Sequence, residues 1–194
     1  MATLTLNEIA AILAPYAETT PALVEKLSVY LDLLVKWNGK TNLTAIRDPR
    51  QMVQRHFGES LFAAKHLPAC KTLLDFGSGA GFPGIPMQLV HPEVQVTLGE
   101  SQNKKAAFLR EAVRTLGLST EVWAARVDTM PVSRQFDVVA LRAVDNPELA
   151  LAEALVRVAA GGSVVQLTTG VGSGRGKTFP LPGSDSGAVE VVLA

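Results

Sequence analysis

This sequence is short of cysteine, of aromatic rings and of net charge, and each shortage removes a class of protein. One cysteine among 194 residues, Cys70, excludes an internal disulfide framework and a cysteine-rich metal site, and agrees with a reducing compartment. Its ordinary reading is a small, half-buried hydrophobe. The 18 basic and 18 acidic residues cancel, so no global field announces nucleic acid. No run of about twenty apolar residues occurs, and Asn7 and Glu8, without a basic leader, do not read as a signal peptide. The histidines His56, His66 and His91 lack the spacing of a metal site, so surface or capping roles are expected of each and no metal is expected. No serine or cysteine nucleophile with a plausible base is visible. These shortages leave a soluble, cytoplasmic protein, long enough to bury a core on both faces of a sheet.

What the chain does have is a change of pattern near residue 70. Before it the signals are helical. Thr5 with Glu8 three residues later is a capping box ahead of Ile9, Ile12 and Leu13, and predicts a helix up to Pro15. Thr20 and Pro21 open a second helix, whose stripe of Leu23, Leu27, Tyr30, Leu31, Leu34 and Trp37 should end at Asn38-Gly39. Asp48-Pro49 opens a third, running through Val53, Phe57 and Leu61 towards Pro68. Residues 1–70 are therefore expected to be a helical extension packed on the core. Residues 71–194 read as short apolar runs alternating with amphipathic helices. Strands are expected at Thr72 to Phe76, Val94 to Leu98, Glu121 to Ala124, Phe136 to Leu141 and Ser163 to Leu167. Helices are expected around Ile85 to Val90, Lys105 to Leu116 and Pro147 to Val158. That alternation predicts a doubly wound, mostly parallel α/β sheet, Rossmann-like, with helices on both faces. Past Gly170 the chain is glycine-rich until Val189 to Leu193, which can supply a last strand.

The stretch from Leu73 to Pro86 carries the chemistry. A strand ending in Asp75-Phe76 runs into Gly77-Ser78-Gly79-Ala80-Gly81-Phe82-Pro83-Gly84, the form in which a parallel sheet offers bare backbone to a ligand. Exposed N–H groups of the next helix are expected to face that ligand. Glu100 follows the second strand, twenty-five positions past Asp75. Alone it would read as a solvated acid. Coupled to the glycine loop it is placed to accept both hydroxyl protons of a ribose. Gly79, Gly81 and Gly84 formally satisfy a dinucleotide fingerprint, so an NAD-dependent oxidoreductase is one reading. Pro83 and Pro86 would crowd a pyrophosphate seat, and Asp75 would repel a diphosphate yet pair with an amino-acid ammonium. S-adenosylmethionine carries such an ammonium.

Two further features are weaker. Gly176-Lys177-Thr178 imitates a phosphate-binding loop, but Val171 stands where its first glycine belongs and Phe179-Pro180-Leu181-Pro182 forbids the helix behind it. Between Lys36 and Lys71 seven basic residues face only Asp48 and Glu59, and Lys104, Lys105 and Arg110 add charge beside Glu100. That is either a solubilising helical face or a rim for phosphate contacts.

The blocks Tyr30-x-x-Leu33-Leu34-x-Lys36-Trp37-Asn38-x-Lys40-x-Asn42-Leu43-Thr44, Arg55-His56 with Glu59-Ser60-Leu61, the Asp75 to Pro86 loop, Lys104-Lys105-x-x-Phe108-Leu109, Ala125-Arg126-Val127-Asp128 and Leu141-Arg142-Ala143 closely resemble the RsmG (GidB) family. The likeness runs from about Leu23 to Gly170. The resemblance implies a class I S-adenosylmethionine-dependent methyltransferase that methylates N7 of a guanine in the decoding-region loop of 16S rRNA. Its partners would be 16S rRNA and the small ribosomal subunit or its assembly intermediate, with no membrane, and a monomer is implied. Carried over, Gly77 and Phe82 would line the cofactor, Gly79 and Gly81 would shape the turn, and Glu100 would take the ribose. Val127 and Asp128 would flank the adenine, and Arg142 would face cofactor and target base, positioning them without an obligatory base. Asp128 stands where the family usually has glutamate and Glu59 where it usually has aspartate. Beyond the fifth strand the departures are larger. Thr169 takes a usual lysine position, Ala188 a usual arginine position, and the helical stretch is reduced to Val171 to Lys177, so that the C-terminal part reads as shortened. A cofactor-binding RNA protein with weak or lost activity is the second reading.

Overall fold

The computed structural model describes residues 3–142, 147–170 and 173–194; Ala143 of the Arg142 motif and Val171 of the reduced stretch lie outside the described residues. Helix α1 spans Leu6–Leu13, with the capping box of Thr5 and Glu8 formed in both directions. Helix α2 spans Pro21–Thr41. It does not end at Asn38-Gly39. Asn38 is buried and bridges forward, accepting from Thr44 N–H at 2.9 Å and donating to the Ile46 carbonyl at 3.1 Å. The helix stops instead at Asn42, which takes a left-handed φ of 49°. The third helix is one continuous rod in three parts: α3 Pro49–Gln51, a π-helical turn Met52–Gly58, and α4 Glu59–Lys65. Gly58 closes the widened turn against Tyr16, whose Cδ2 would lie 2.8 Å from any Cβ there.

The sheet follows the expected strands within a residue or two, apart from the longer fifth: β1 Thr72–Phe76, β2 Gln95–Gly99, β3 Glu121–Trp123, β4 Phe136–Arg142, β5 Val158–Thr168 and β7 Ala188–Leu193. An additional strand, β6 Lys177–Pro180, closes the edge. Their order is β3-β2-β1-β4-β5-β7-β6, with β7 antiparallel to both neighbours and the first five strands parallel. Helices α5 Gly84–Val90, α6 Asn103–Leu116 and α7 Pro147–Leu155 fill the crossovers.

Strand parity sorts the core. Leu73, Val138 and Val165 face one way, into a cluster with Ile9, Leu27, Tyr30 and Phe57 of the N-terminal helices and Ile85 and Phe108 of α5 and α6. Leu74, Val139 and Val164 face the other way, against Leu151 and Ala154 of α7. The expected doubly wound sheet is thus present, and one apolar cluster joins the first seventy residues to it.

The segment from Ser173 to Gly176 explains why its sequence only imitates a phosphate loop. Its backbone already has an anion: the fully buried carboxylate of Glu190 accepts from Ser173 N–H (2.7 Å), Arg175 N–H (3.2 Å), Gly176 N–H (3.2 Å), the Ser173 hydroxyl (3.0 Å) and Gln166 (2.5 Å). Burial opposes the charge, but these donors hold the Glu190 pKa below the usual carboxylate value. Glu190→Gln is expected to speed amide exchange at Ser173, Arg175 and Gly176 by about 10-fold, the equivalent of about 1.4 kcal/mol, while β1 amides keep their protection. Unchanged exchange at all three would show that the carboxylate does not hold the loop.

Candidate cofactor site

The glycine loop is held by three anchors, each from a different element. Ser78 donates its hydroxyl to the Asp75 carbonyl at 2.9 Å. Tyr30 of α2 donates to the Ala80 carbonyl at 2.5 Å. Gly84, the first residue of α5, donates its N–H to Asp75 Oδ2 at 2.9 Å. Two glycines are required by space. Gly81 has φ 88°, and a Cβ there would lie 2.5 Å from the Tyr30 hydroxyl. At Gly84 a Cβ would meet Leu98 Cδ2 at 2.5 Å and Asp75 Oδ2 at 2.7 Å.

This geometry corrects two expectations. Asp75 shares the face of Leu73, and its side chain has no solvent exposure; one carboxylate oxygen accepts from the first N–H of α5, and the residue does not line the cleft above the loop. The first N–H of α5 belongs to that carboxylate, and the helix start is buried, so α5 presents no free terminus to a ligand. Burial raises the Asp75 pKa to about 7, against the opposing pull of the Gly84 N–H and Ser78.

Above the loop, the tips of β1, β2 and β3 enclose a cleft of about 220 Å³ lined by Gly77, Gly99, Glu100, Val127, Asp128 and their neighbours, with Glu153 of α7 on its rim. Glu100 is nearly buried, and its two oxygens accept from Gly79 N–H at 3.0 Å and Gln102 N–H at 2.7 Å. Gly77, with φ 74°, has open space where a Cβ would stand. Val127 and Asp128 form a 3₁₀ turn, Val127–Thr129. Asp128 is exposed and paired with Arg126 at 2.8 Å, which lowers its pKa. An acid at one end of the cleft, a valine and an aspartate at the other and bare backbone between them are the chemistry that an adenosyl group would need.

Gly77, Glu100, Val127 and Asp128 therefore converge, and Gly79 is tied to them through Glu100. Gly81 and Phe82 sit behind the loop. The Phe82 ring is buried, stacked on Tyr30 (5.3 Å) and on His56 (4.8 Å). Arg142 ends β4 and turns towards the π-helical turn. Its guanidinium donates to the carbonyls of Arg55 (2.5 Å) and His56 (3.3 Å) and pairs with Glu59 at 2.8 Å, while Arg55 holds the other Glu59 oxygen at 2.7 Å. His66 and His91 take the expected capping roles, at the C-terminal ends of α4 and α5, and His56 alone departs from them. His56 is largely buried against Phe82 and bonds Thr44 Oγ1 at 2.8 Å, and burial with Arg142 and Arg55 nearby pushes its pKa to about 3. His66 stacks on Phe179 at 3.8 Å.

The sequence places Tyr30 in a core stripe and in the first family block, with no role at the loop, and does not single out Glu153. The helical period gives no sign that the Tyr30 hydroxyl ends on a loop fifty residues away. The Ala125–Asp128 block was legible, and it is the block that closes the cleft.

Comparison with known proteins supplies the family. The family profile of rRNA small subunit methyltransferase G (GidB) matches residues 23–170. The chain belongs to this family. It is 48% identical over 126 residues to ribosomal RNA small subunit methyltransferase G of Stenotrophomonas maltophilia, covering 64% of this chain and 59% of that protein. Over 130 residues it is 45% identical to the Nitrosomonas europaea protein of the same name, covering 66% and 60%. The chain thus spans about three-fifths of the length of these relatives. Among solved structures, precorrin-6y C5,15-methyltransferase of Geobacter metallireducens superposes with a TM-score of 0.52 at 12% identity, over 71% of this chain and 87% of that one, a likeness of fold. The family is S-adenosylmethionine-dependent. Among the described residues no helix is long and apolar enough to cross a membrane.

Proposed function

We propose that this chain transfers a methyl group from S-adenosylmethionine to N7 of a guanine in the decoding-region loop of 16S rRNA, in the cytoplasm. The observation that carries the proposal is the cleft between Gly77, Glu100 and Val127, with an acid at one end and bare backbone along it, within a chain of this family. The cofactor supplies an electrophilic methyl on a cationic sulfur. Guanine N7 would take that methyl on a lone pair that carries no proton, leaving a neutral thioether and a cationic guanine. No proton leaves, so no base is needed. The chain's task is alignment at a near-attack distance of roughly 3 to 3.5 Å.

Gly77 and Gly79 shape the loop side of the cofactor seat, Gly81 and the buried Phe82 support that loop from behind, Glu100 accepts from the ribose hydroxyls, and Val127 and Asp128 flank the adenine. Arg142 stands where loop, π-helical turn and substrate meet, and holds Arg55 and Glu59 at the edge over which RNA enters. His56, neutral because burial holds its pKa to about 3, is unsuited to proton transfer at neutral pH. A guanine in folded rRNA reaches this edge only from a loop or turned out of its stack.

Undermethylated small subunits and naked 16S rRNA, each incubated with methyl-labelled cofactor, test the proposal. N7 labelling of a single guanine is expected in at least one of them, and no transfer to either would refute it. Calorimetric titration separates the cofactors: S-adenosylmethionine should bind and NAD should not. A second reading, a cofactor-binding RNA protein without transfer, is favoured by Thr169 and by Ala188, which is buried in β7. Binding of cofactor and RNA without labelling would establish it.

A further inference from the structure

Arg157 is the least ordinary buried residue of the sheet domain. It follows α7 inside the apolar run Leu155-Val156-Arg157-Val158, and only 4% of it is exposed. A guanidinium cannot shed its charge in a protein, and burying one is costly unless it is compensated. Among the described residues no carboxylate pairs with Arg157. Among the described residues its side-chain hydrogen bonds all go to the main chain of one loop: Nη1 donates to the Pro131 carbonyl at 2.9 Å, and Nη2 to those of Met130 at 3.0 Å and Asp128 at 3.2 Å, with the Asp128 carboxylate attracting it at longer range.

Those carbonyls lie at and just past the C-terminal end of the 3₁₀ turn Val127–Thr129, where the turn leaves acceptors unfilled and the peptide dipoles place negative charge. The opposite side of the turn presents Val127 and Asp128 to the cofactor cleft. Apolar packing of Val127 and Met130 holds the turn to the sheet, but its other hydrogen bonds are short-range: Met130 N–H to Val127 O, the Thr129 N–H and hydroxyl to Arg126 O, and Trp123 Nε1 to Arg126 O. Arg157 is itself fixed, since its N–H goes to Ala154 O and its carbonyl accepts from Phe136 N–H. One turn earlier on α7, Glu153 lines the same cleft. The C-terminal end of α7 therefore touches the adenine end of the cleft from inside and clamps it from outside.

We infer that Arg157 is a positioning residue for the cofactor: by holding the carbonyls of Asp128, Met130 and Pro131 it sets the wall formed by Val127 and Asp128 and so the affinity for the adenosyl group. The inference rests on the proposed cofactor reading of this cleft. It concerns uniform binding and not the transfer step. Loss of the clamp should therefore raise KM for the cofactor and leave kcat at saturation unchanged. It should also weaken adenosine and S-adenosylmethionine by the same factor, because the methionine end lies elsewhere.

The test uses the full chain with Arg157→Met, which keeps the apolar stem without donors, and Arg157→Lys, which keeps the charge but offers one compact ammonium where the guanidinium spans three carbonyls. Calorimetry well below the melting temperature should show about 10-fold weaker binding of both ligands for R157M and about 3-fold for R157K. If R157M does not fold, R157K alone decides: equal weakening of both ligands supports the inference. Unchanged affinity in every variant that folds, with the unsubstituted chain binding normally, would overturn it. So would a loss confined to S-adenosylmethionine, or a fall in kcat with KM unchanged. Failure of the unsubstituted chain to bind S-adenosylmethionine would instead remove the cofactor reading, and this inference with it.

Discussion

Arg142→Lys is expected to lower single-turnover methylation at saturating cofactor by about 10²-fold, near 2.7 kcal/mol of barrier, while cofactor affinity changes by less than about 3-fold. The geometry separates the two effects. Glu100, Gly77 and Val127 form the cleft without Arg142, whose guanidinium lies across the π-helical turn on the carbonyls of Arg55 and His56 and the carboxylate of Glu59. A lysine keeps the charge opposite Glu59 but cannot span two carbonyls and a carboxylate at once. Arg55, whose side chain is about half exposed beside Glu59, should then lose the register in which it would meet substrate. Alanine is the poorer probe. Both side chains of the pair are close to nine-tenths buried, so removing the cation leaves one Glu59 oxygen without its partner while Arg55 keeps the other, and the cost of about 1 to 3 kcal/mol of stability would blur the effect on transfer. Calorimetric Kd and rapid-quench labelling on R142K test the expectation. An unchanged transfer rate would refute the positioning role, and a parallel loss of cofactor affinity would move Arg142 into the cofactor seat.

The elements legible in the sequence are those set by local chemistry. Thr5 with Glu8, and Thr20 with Pro21, start helices where their side chains reach the first free amides, and the five parallel strands are apolar runs because both faces are covered. What was not legible depends on partners distant in the chain. Asn38-Gly39 reads as a stop, yet Asn38 is taken up by Thr44 and Ile46, so the helix passes through it. The π-helical turn has no residue signature. Its wider spacing is visible only through Arg142, eighty-six positions away, which fills the carbonyl of His56. Strand β6 was hidden by Pro180, a residue tolerated at an edge, where no neighbour needs its N–H. The inward turn of Asp75 was readable: two residues after Leu73 on a strand, it must share the Leu73 face. The loop motif drew it towards the ligand, and strand parity is the stronger rule.

That inward turn gives the second large effect, a reversed pH dependence. An unfolded aspartate releases its proton near 3.8, whereas Asp75 in the fold holds it to about 7. Between those values the folded chain binds more protons than the unfolded one, so the contribution of Asp75 to stability falls as pH rises through this window. The full span is worth about 4 kcal/mol at most. The groups facing the carboxylate are the Gly84 N–H, Ser78, Arg142, Glu100 and the Tyr30 hydroxyl. Burial and Asp75 itself push the Tyr30 pKa upward, so it stays neutral throughout. Asp137 and Glu121 act oppositely. Held low by the amides of Lys71 and Thr72 and by Arg134, they lose their contributions as pH falls. The difference between the wild-type chain and Asp75→Asn isolates the buried group. The carboxamide oxygen can still accept from Gly84, no proton is exchanged, and its unpartnered NH₂ costs about 1 to 3 kcal/mol. Denaturant midpoints at intervals from pH 4 to pH 8 should therefore show D75N less stable than wild type in acid, with the gap narrowing or reversing towards pH 8. A gap independent of pH would mean that Asp75 is ionised in the fold. Cofactor affinity settles the older alternative in the same preparation: a carboxylate beneath α5 predicts a change of no more than about 3-fold in D75N, whereas a loss of about 10²-fold would restore Asp75 to the cleft as the partner of the methionine ammonium.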